Sequence, residues 1–547
     1  MSASRGWEQV LNIAIGLFAG LGFIFIGTQF LTANMKQVAG PGFHRLVARA
    51  TGNPLKAMIT GIAAGAVIQS TNAVTFIVIS LVSAGAATVR SAMPIVTWSY
   101  AGSTLRLLLA SLNIGAVIMA AIGLIGLAFL FGYDRNAKYR NLVAALLGLA
   151  LLLYGVQLMV QASVPMRESA TVQAVLAFAN NFYLWGFIAG TALAAVIQGQ
   201  TVSIIALALV DGGVLGLDQA FLIVVGANLG AGIMSIVQGA GLSGTARQLN
   251  LYQLILKLIG VGVMLPLLML EHFAHVPLIE ALVTSITGDA ALQVTAVHWM
   301  FQIVSAVVAS LLNAPLFALV ERLSPETPQE SLSKPRFIQF NDAVEPLAAI
   351  GMVEQEQLRL LRRLPFFLSK VRTEGAEDFD AMEPLVAKAS PKVLQQAGVE
   401  LTSTISSFLK KRLAMPGQPE ELDRLLRLWS ANQLLKILHE TLGSFAKGLG
   451  DLHTSPAVTG FATTLAEAAH ALTATVAEEA EHFDADSAEM LATLTGDRSA
   501  LMKKLREELW QRAPDLTAAE RQAVWATADV FEQVVWQLNR YAINLAR

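Results

Sequence analysis

The chain predicts an all-α fold: a polytopic membrane protein with two inverted repeats, each containing a re-entrant helical hairpin, followed by a soluble helical-bundle domain. Three observations carry this reading. Of 547 residues, 54% are hydrophobic and 14% charged, and the mean hydropathy is +0.56, which fits a chain largely embedded in lipid. The charge is segregated, with 23 Asp, Glu, Lys and Arg in residues 1–322 (net +5) and 55 in the rest (net −7), so the two parts are built for different solvents. Finally, the stretch Gly61–Gln69, GIAAGAVIQ, recurs at Gly190–Gln198 as GTALAAVIQ, with six of nine positions identical.

A bilayer crossing takes about 20 apolar residues. Such segments run near Val10–Ala33, Ala92–Leu112, Ala116–Gly132, Leu142–Val160, Ala220–Gln238, Leu249–Leu270 and Val294–Val320, giving seven crossings. The first is too long for the core of a signal peptide. Two further apolar stretches, Leu55–Ala86 and Leu184–Val214, are each interrupted in the middle by polar residues. They read as re-entrant pairs of half-helices, because broken backbone survives at membrane depth only where protein or a watery cavity surrounds it. With the N-terminus outside, Lys36, Arg45, Arg49, Lys56, Arg90, Arg135, Lys138, Arg140, Arg247 and Arg322 fall on the cytoplasmic side and only Arg5 and Arg167 outside. That is the bias expected of cytoplasmic loops.

Repeat 1 spans about 10–132 and repeat 2 about 140–270, with a final helix at about 294–320 completing a membrane domain at 1–322. Three crossings precede the second repeat, so it starts from the opposite face. Gly27 and Gln29 echo in Gly155 and Gln157, and Gly102 in Gly230, at a constant offset of 128.

Each copy of the nine-residue stretch runs into a polar cluster: Ser70, Thr71, Asn72 and Thr75 after Gln69, and Gly199, Gln200, Thr201 and Ser203 after Gln198. Uncharged hydrogen-bonding groups in lipid are costly without a partner. A duplicated pair of such interruptions points to the central binding site of a carrier. Downstream, Gly102, Ser103 and Thr104 match Asn228 and Gly230 in position. Glycine there can let a helix unwind and free carbonyls for a cation, with the hydroxyls and the amide as further oxygen ligands; glycine-mediated helix packing is the competing reading. Arg106 and Lys257 are the basic residues placed within membrane helices. Both lie within about 10 residues of a helix end, so they read as snorkelling to an interface. Arg106 also suits an oxyanion, since a guanidinium pairs with phosphate oxygens.

The duplicated hairpins, GANLG at Gly226–Gly230, ARQLNLYQLILKLIGVGVMLPL at Ala246–Leu267 and AVHWMFQIVSAVVASLLNAP at Ala296–Pro315 resemble the bacterial sodium-dependent phosphate cotransporter family related to the type II animal carriers. The resemblance implies Na+ as coupling ion, and hairpin tips that bind phosphate and sodium, with Gln69 and Gln198 contributing to both. The family's tip reads Gln-Ser-Ser-Ser-Ala-Thr. Here the first copy keeps Gln69, Ser70, Ala73 and Thr75 while Thr71, Asn72 and Val74 depart; the second keeps Gln198 outright and hydroxyls at Thr201 and Ser203. Ala231 and Gly232 replace two threonines after Gly230.

Residues 323–336, rich in proline, read as a linker. Residues 337–547 read as about six helices, with breaks near Gly375, Pro416, Ser455, Ala485 and Pro514. Leu422, Leu425, Leu426 and Trp429 hold one face, which Leu435, Leu438, Leu442 and Phe445 continue. Thr517 and Glu520 form a capping box before Val524, Phe531, Val535 and Leu538. This part is similar to the PhoU-like domains that follow such carriers. Glu478, Glu479, Glu481, His482, Asp484 and Asp486 cluster without sharing a face, and read as a solvated helix end rather than a metal site.

The expected protein is a sodium-coupled secondary transporter of inorganic phosphate or a related oxyanion, multi-pass in the inner (cytoplasmic) membrane, with its C-terminal domain cytoplasmic. That domain would serve a regulator or a homo-oligomer. The alternatives are a carrier for a different substrate and a non-transporting sensor that signals through the helical domain. Nucleic acid is disfavoured as a partner by the acidic tail. An enzyme is disfavoured because no nucleotide loop, nucleophile and base, or metal-ligand spacing is present. The chain has no cysteine.

Overall fold

A computed structural model of the chain describes residues 2–38, 47, 50–83, 87–112, 114–136, 139–168, 182–338, 346–369, 372, 384–415, 418–481 and 483–546. Arg45, Arg49, Lys138, Gly375, Pro416 and His482, all used above, lie outside these residues. The described residues are helical, without strands, and divide into two compact units, 1–325 and 326–547.

The first unit opens with α1 (Ser2–Val38), followed by α2 (Pro54–Ile68) and α3 (Thr71–Ser83). Asn53 caps α2 by accepting from the N–H groups of Leu55 and Lys56, and Pro54 sits at the first helical turn, where a missing N–H costs nothing. Gln69 ends α2 in the left-handed region at φ 55, and its N–H returns to the Gly65 carbonyl. The sharp break between α2 and α3 thus falls on the predicted glutamine. Next come α4 (Val89–Ser103), started by a Thr88/Ser91 capping box, α5 (Leu105–Ser111), α6 (Gly115–Leu130) and α7 (Arg140–Ser163). The second broken pair is α8 (Trp185–Ala194) and α9 (Gly199–Asp211), and α10 (Leu217–Gln238), α11 (Gly244–Ala274), α12 (Ile279–Ile286), α13 (Ala290–Leu311) and α14 (Asn313–Leu323) complete the unit.

Five of these helices are long and apolar enough to cross a membrane, and they correspond to five of the seven expected crossings. The remaining two are α4–α5 and α6, which together bend by 104° and would make a sixth span if counted as one. The expected last crossing, Val294–Val320, is broken at Leu312 between α13 and α14.

The duplication reappears as packing. In α2 against α4, a Cβ on Gly61 would come 2.6 Å from the Ile95 carbonyl oxygen, and one on Gly102 would overlap the Ile62 carbonyl and sit 2.8 Å from the Ala66 nitrogen. In α8 against α10, a Cβ on Gly190 would overlap the Ile223 carbonyl, and one on Gly230 would overlap the Thr191 carbonyl and sit 2.9 Å from the Ala195 nitrogen. Each contact is the other shifted by 128 or 129 residues. The small residues let backbones approach where any side chain would hold them apart. α1 and α7 cross antiparallel, Gly16 meeting Ala162, Gly20 meeting Met159 and Gly27 meeting Leu152. Their contacts are reciprocal: a Cβ on Gly27 would lie 2.6 Å from the Gly148 carbonyl, and one on Gly155 would lie 2.7 Å from the Gly20 carbonyl.

The second unit is a helical bundle: α15 (Pro328–Ser333), α16 (Pro346–Leu361), α17 (Pro384–Lys388), α18 (Pro391–Leu413), α19 (Pro419–Leu452), α20 (Thr459–Glu479), α21 (Ala485–Leu494), α22 (Ser499–Arg512) and α23 (Ala518–Leu545). The proline-rich stretch expected to be a linker carries α15, closed by a Thr327/Glu330 capping box, with Leu332 buried in this unit's core. α19 packs on α16, α18 and α23. Leu425, Leu435, Leu438, Leu442 and Phe445 are buried along it, whereas Leu422 and Leu426, assigned above to the same face, are exposed. The capping box of Thr517 and Glu520 starts α23, which buries Val524, Phe531, Val535 and Leu538. Breaks at residues 389–390 and 495–498 add two helices to the six expected, giving α16 to α23.

Candidate functional site

The first broken pair places its polar residues unevenly. Gln69 is buried, donates from Nε2 to the Ala66 carbonyl at 2.6 Å, and leaves Oε1 buried without a donor. Ser70 accepts from the Ala73 N–H at 3.3 Å, and Thr75 is turned inward onto the Thr71 carbonyl at 2.9 Å. Asn72 donates to Gln238 at the end of α10, at 2.7 Å.

The second broken pair faces another set of partners. Gln198 is exposed at the start of α9, in extended conformation, and makes no capping bond. Gly199 closes against Ala227 and Ala231 of α10, and Thr201 is buried. Gln200 donates from Nε2 to both the carbonyl and the hydroxyl of Ser103, each at 3.0 Å, and accepts on Oε1 from Arg106. Ser203 shares a hydrogen bond with His298 Nδ1 at 3.2 Å.

Ser103 is therefore a meeting point of the two halves. Gly65 of α2 lies against its backbone nitrogen, and Gln200 of α9 bonds its oxygens. Here α4 gives way to α5 at Thr104, whose hydroxyl donates to the Ala101 carbonyl at 2.6 Å. Gly102 does not serve as a point of unwinding; it is packed on α2. Gly230 likewise lies inside the unbroken α10 against Thr191, so the carbonyls expected to be freed there remain in the helix, because glycine at that point admits α8 rather than opening the backbone.

The residue at the centre is one that the charge reading set aside. Lys257, on α11, is 2% exposed, and its ammonium donates to Asn228 Oδ1 and Gln302 Oε1, each at 3.0 Å. It also stands 3.7 Å from the centroid of the Tyr100 ring, an ammonium over a π face. Tyr100 and Asn228 are equivalent positions at the repeat offset, so the two halves converge on one cation. Gln302 donates from Nε2 to Asn228 Oδ1 at 2.7 Å and lies 3.2 Å from His298 Nε2. Tyr100 donates to Gln253 at 2.8 Å, and Thr97 pairs with Tyr252 at 2.6 Å, which fastens α11 to α4. A polar chain thus runs from Tyr100 through Lys257, Gln302 and His298 to Ser203 of the second tip.

Snorkelling is overturned for Arg106 and Lys257 alike, because α9, α10, α11 and α13 close over them. Arg106 is 3% exposed, and its Nε and one terminal nitrogen are buried without an acceptor. Among the described residues no carboxylate pairs with either cation. Two signals in the sequence point to this centre. Asn250, Gln253 and Lys257 lie three and four residues apart on an otherwise apolar helix, and His298 and Gln302 lie four apart on another; such spacing puts polar groups on one inward face.

The acidic cluster of the second unit has structural employment. Asp484 caps α21 by accepting from the Ser487 N–H at 2.8 Å, Glu481 pairs with Arg362, and Glu479 takes the Ser487 hydroxyl. Among the described residues no group of three His, Asp or Glu is arranged to hold a metal ion.

Apolar spans around a buried polar centre, with duplicated packing, define a polytopic all-α membrane protein. Residues 23–161 and 152–287 each match the Na+/Pi-cotransporter family, the same pattern twice in succession, and the membrane unit of this chain belongs to that family of transporters rather than to an enzyme family. The chain is 24% identical over 348 residues to "Putative inorganic phosphate export protein YjbB" of Escherichia coli K12, a match covering 63% of this chain and 62% of that protein. The Salmonella typhimurium protein of the same name is 24% identical over 395 residues, 71% of this chain and 69% of the relative. YqeW of Bacillus subtilis is 24% identical over 314 residues, 57% of this chain and 99% of the relative. No solved structure matches the chain.

Proposed function

We propose that the protein is a secondary carrier of inorganic phosphate or a related oxyanion in the inner (cytoplasmic) membrane, coupled to sodium. The observation that carries it is the pair of cations buried without a carboxylate. A buried charge is held at a cost of several kcal/mol unless a counter-charge joins it. An oxyanion is the natural counter-charge, and the spare donors of Arg106 suit it. Gln200, Thr201 and Ser203 of one tip, with Gln198 and Gly199 beside them, and Gln69, Ser70, Thr71, Asn72 and Thr75 of the other would line its path. Gln69 Oε1, with Ser103 and Thr104, would take a sodium ion in the first repeat. The antiparallel, reciprocal crossing of α1 and α7 supports inverted repeats that rock against each other, with both broken pairs as re-entrant hairpins. The N-terminus would lie outside. The 326–547 unit would be cytoplasmic, PhoU-like, and act on that movement through a regulator or self-association. The name of the curated relatives speaks for outward movement.

The test is flux of labelled phosphate in proteoliposomes holding the full chain, run in both directions against arsenate, sulfate and small organic anions, with and without a sodium gradient. Phosphate moves, and Arg106→Gln raises its half-saturating concentration by about tenfold to a hundredfold, as loss of a charged hydrogen bond of about 1.5–3 kcal/mol implies. Phosphate flux at the level of empty vesicles, or an unaltered response in Arg106→Gln, defeats the assignment.

A further inference from the structure

Two places, one in each repeat, could take a coupling cation, and the structure treats them differently. In the first repeat, Gln69 Oε1 is buried without a donor and is open to a cation. In the second, the Asn228 amide oxygen is already in full use. Oδ1 accepts from Lys257 Nζ at 3.0 Å and from Gln302 Nε2 at 2.7 Å, which occupies both lone pairs, and Nδ2 donates to the Val224 carbonyl at 3.0 Å. Gln302 Oε1 is taken by the same ammonium. The residues around Asn228 therefore do not fit a sodium ion while Lys257 stays where it is.

We propose that the Lys257 ammonium is a tethered cation that stands in for the sodium ion of the second repeat, so that this carrier binds one sodium fewer than the same site would without the lysine. The inference rests on the carrier reading above and deepens it. An ammonium and a sodium ion make the same demand on their surroundings: one positive charge met by neutral oxygens, here two side-chain carbonyls, with the face of Tyr100 as a third ligand. Lys257 reaches this place from α11, a helix pinned on one side to α4 by Tyr252 and Gln253 and on the other to α10 through Asn228, so its charge is delivered wherever the two repeats close together. The fixed charge is not released with the substrate. It keeps one positive charge beside the oxyanion in every state of the cycle, and it lowers the number of sodium ions that must move with each anion.

The experiment counts radiolabelled sodium bound per chain in detergent-purified full-length protein, for the unaltered chain and for Lys257→Ala, Lys257→Gln and Lys257→Arg. Lys257→Ala and Lys257→Gln bind one sodium more than the unaltered chain, and Lys257→Arg, which keeps the charge, binds the same number. In proteoliposomes the two neutral variants show phosphate flux that falls by about tenfold when sodium is replaced by potassium, with a Hill coefficient for sodium higher than that of the unaltered chain. Lys257→Gln preserves a hydrogen-bonding amide, so it decides the matter if Lys257→Ala does not fold. Equal counts in the folded neutral variants and the unaltered chain overturn the proposal. Absence of phosphate flux in every variant defeats the assignment of substrate, while the sodium count still decides the role of Lys257.

Discussion

The two repeats of the membrane unit share their packing and differ in their chemistry. Gly61 and Gly102 hold α2 on α4 by the same atomic approaches with which Gly190 and Gly230 hold α8 on α10. At the polar centre the correspondence fails: Tyr100 stands opposite Asn228, a buried Gln69 opposite an exposed Gln198, and the largely exposed α6 occupies the place that α11 fills with Lys257 in the other half. Backbone contacts tolerate almost no change without loss of the fold, because interiors are close-packed. Side chains that meet a ligand can be exchanged one at a time if the charge at the centre stays balanced. A duplicated scaffold can therefore carry an asymmetric site.

The largest effect should come from the shared part, and it should be equal in the two halves. Gly102→Ala and Gly230→Ala each drive a methyl group into a backbone carbonyl of the neighbouring half-helix, which cannot yield as a side-chain tip can. We expect each to cost about 3 kcal/mol or more, seen as a large drop in the thermal unfolding midpoint in detergent or as loss of monodisperse protein. One variant behaving as wild type while the other collapses would break the packing symmetry.

The next effect is confined to one half. Asn228→Leu leaves the Lys257 ammonium with Gln302 as its remaining side-chain oxygen acceptor, and hydrogen bonds to charged groups contribute about 1.5–3 kcal/mol. Tyr100→Leu removes a ring face and one hydrogen bond to Gln253 and should cost less, about 1–2 kcal/mol. Chemical denaturation or thermal unfolding of the two variants side by side ranks them, and a reversed order would place the weight of the site on the first repeat.

How far the sequence shows this in advance follows the same division. The hairpin breaks are legible because glycines and clustered amides interrupt apolar runs at a fixed interval, and Gln69 and Ser70 fall between α2 and α3 as the pattern requires. The centre is harder to see. A lysine eight residues from the end of the expected crossing Leu249–Leu270 looks like an interfacial one, and what buries Lys257 is contact with Tyr100 and Asn228, 157 and 29 residues away in the chain. No local pattern encodes such an encounter; only the inward stripe of Asn250, Gln253 and Lys257 hints at it. Leu422 and Leu426 show the opposite limit. Their spacing marks a helix face, but where α19 begins no described residue covers that face, so periodicity alone overstates the core.

A smaller effect separates the paired glutamines. Gln69 holds φ 55, a conformation that costs a side-chain-bearing residue about 1–2 kcal/mol and costs glycine little. In Gln69→Gly the relief of that strain is offset by loss of the hydrogen bond to Ala66 and by the freedom glycine adds to the unfolded chain, so stability should stay within about 1 kcal/mol of the unaltered protein, while the loss of the buried oxygen assigned to sodium depresses sodium-driven flux. Gln198→Ala, at an exposed and extended position, should shift stability by less than about 0.5 kcal/mol. Thermal unfolding read together with flux distinguishes a residue kept for its chemistry from one kept for its backbone. Loss of both stability and flux in Gln69→Gly would mean that the strained turn is set by the side chain after all.

The smallest effect tests whether α6 really lacks the engagement of α11. A Cβ on Gly126 would meet nothing within 4 Å, whereas one on Gly260 of α11 would crowd the Phe301 ring and the Ser305 hydroxyl. Gly126→Ala should thus be neutral or stabilising by up to about 1 kcal/mol, the gain of alanine over glycine inside a helix. Gly260→Ala should cost about 1–3 kcal/mol through overpacking. Both are read from unfolding midpoints in the same detergent. If Gly126→Ala instead destabilises the chain, the Gly126 face of α6 has a packed partner besides α7, such as a second copy of the protein, and that apolar surface is then an interface rather than a face turned to lipid.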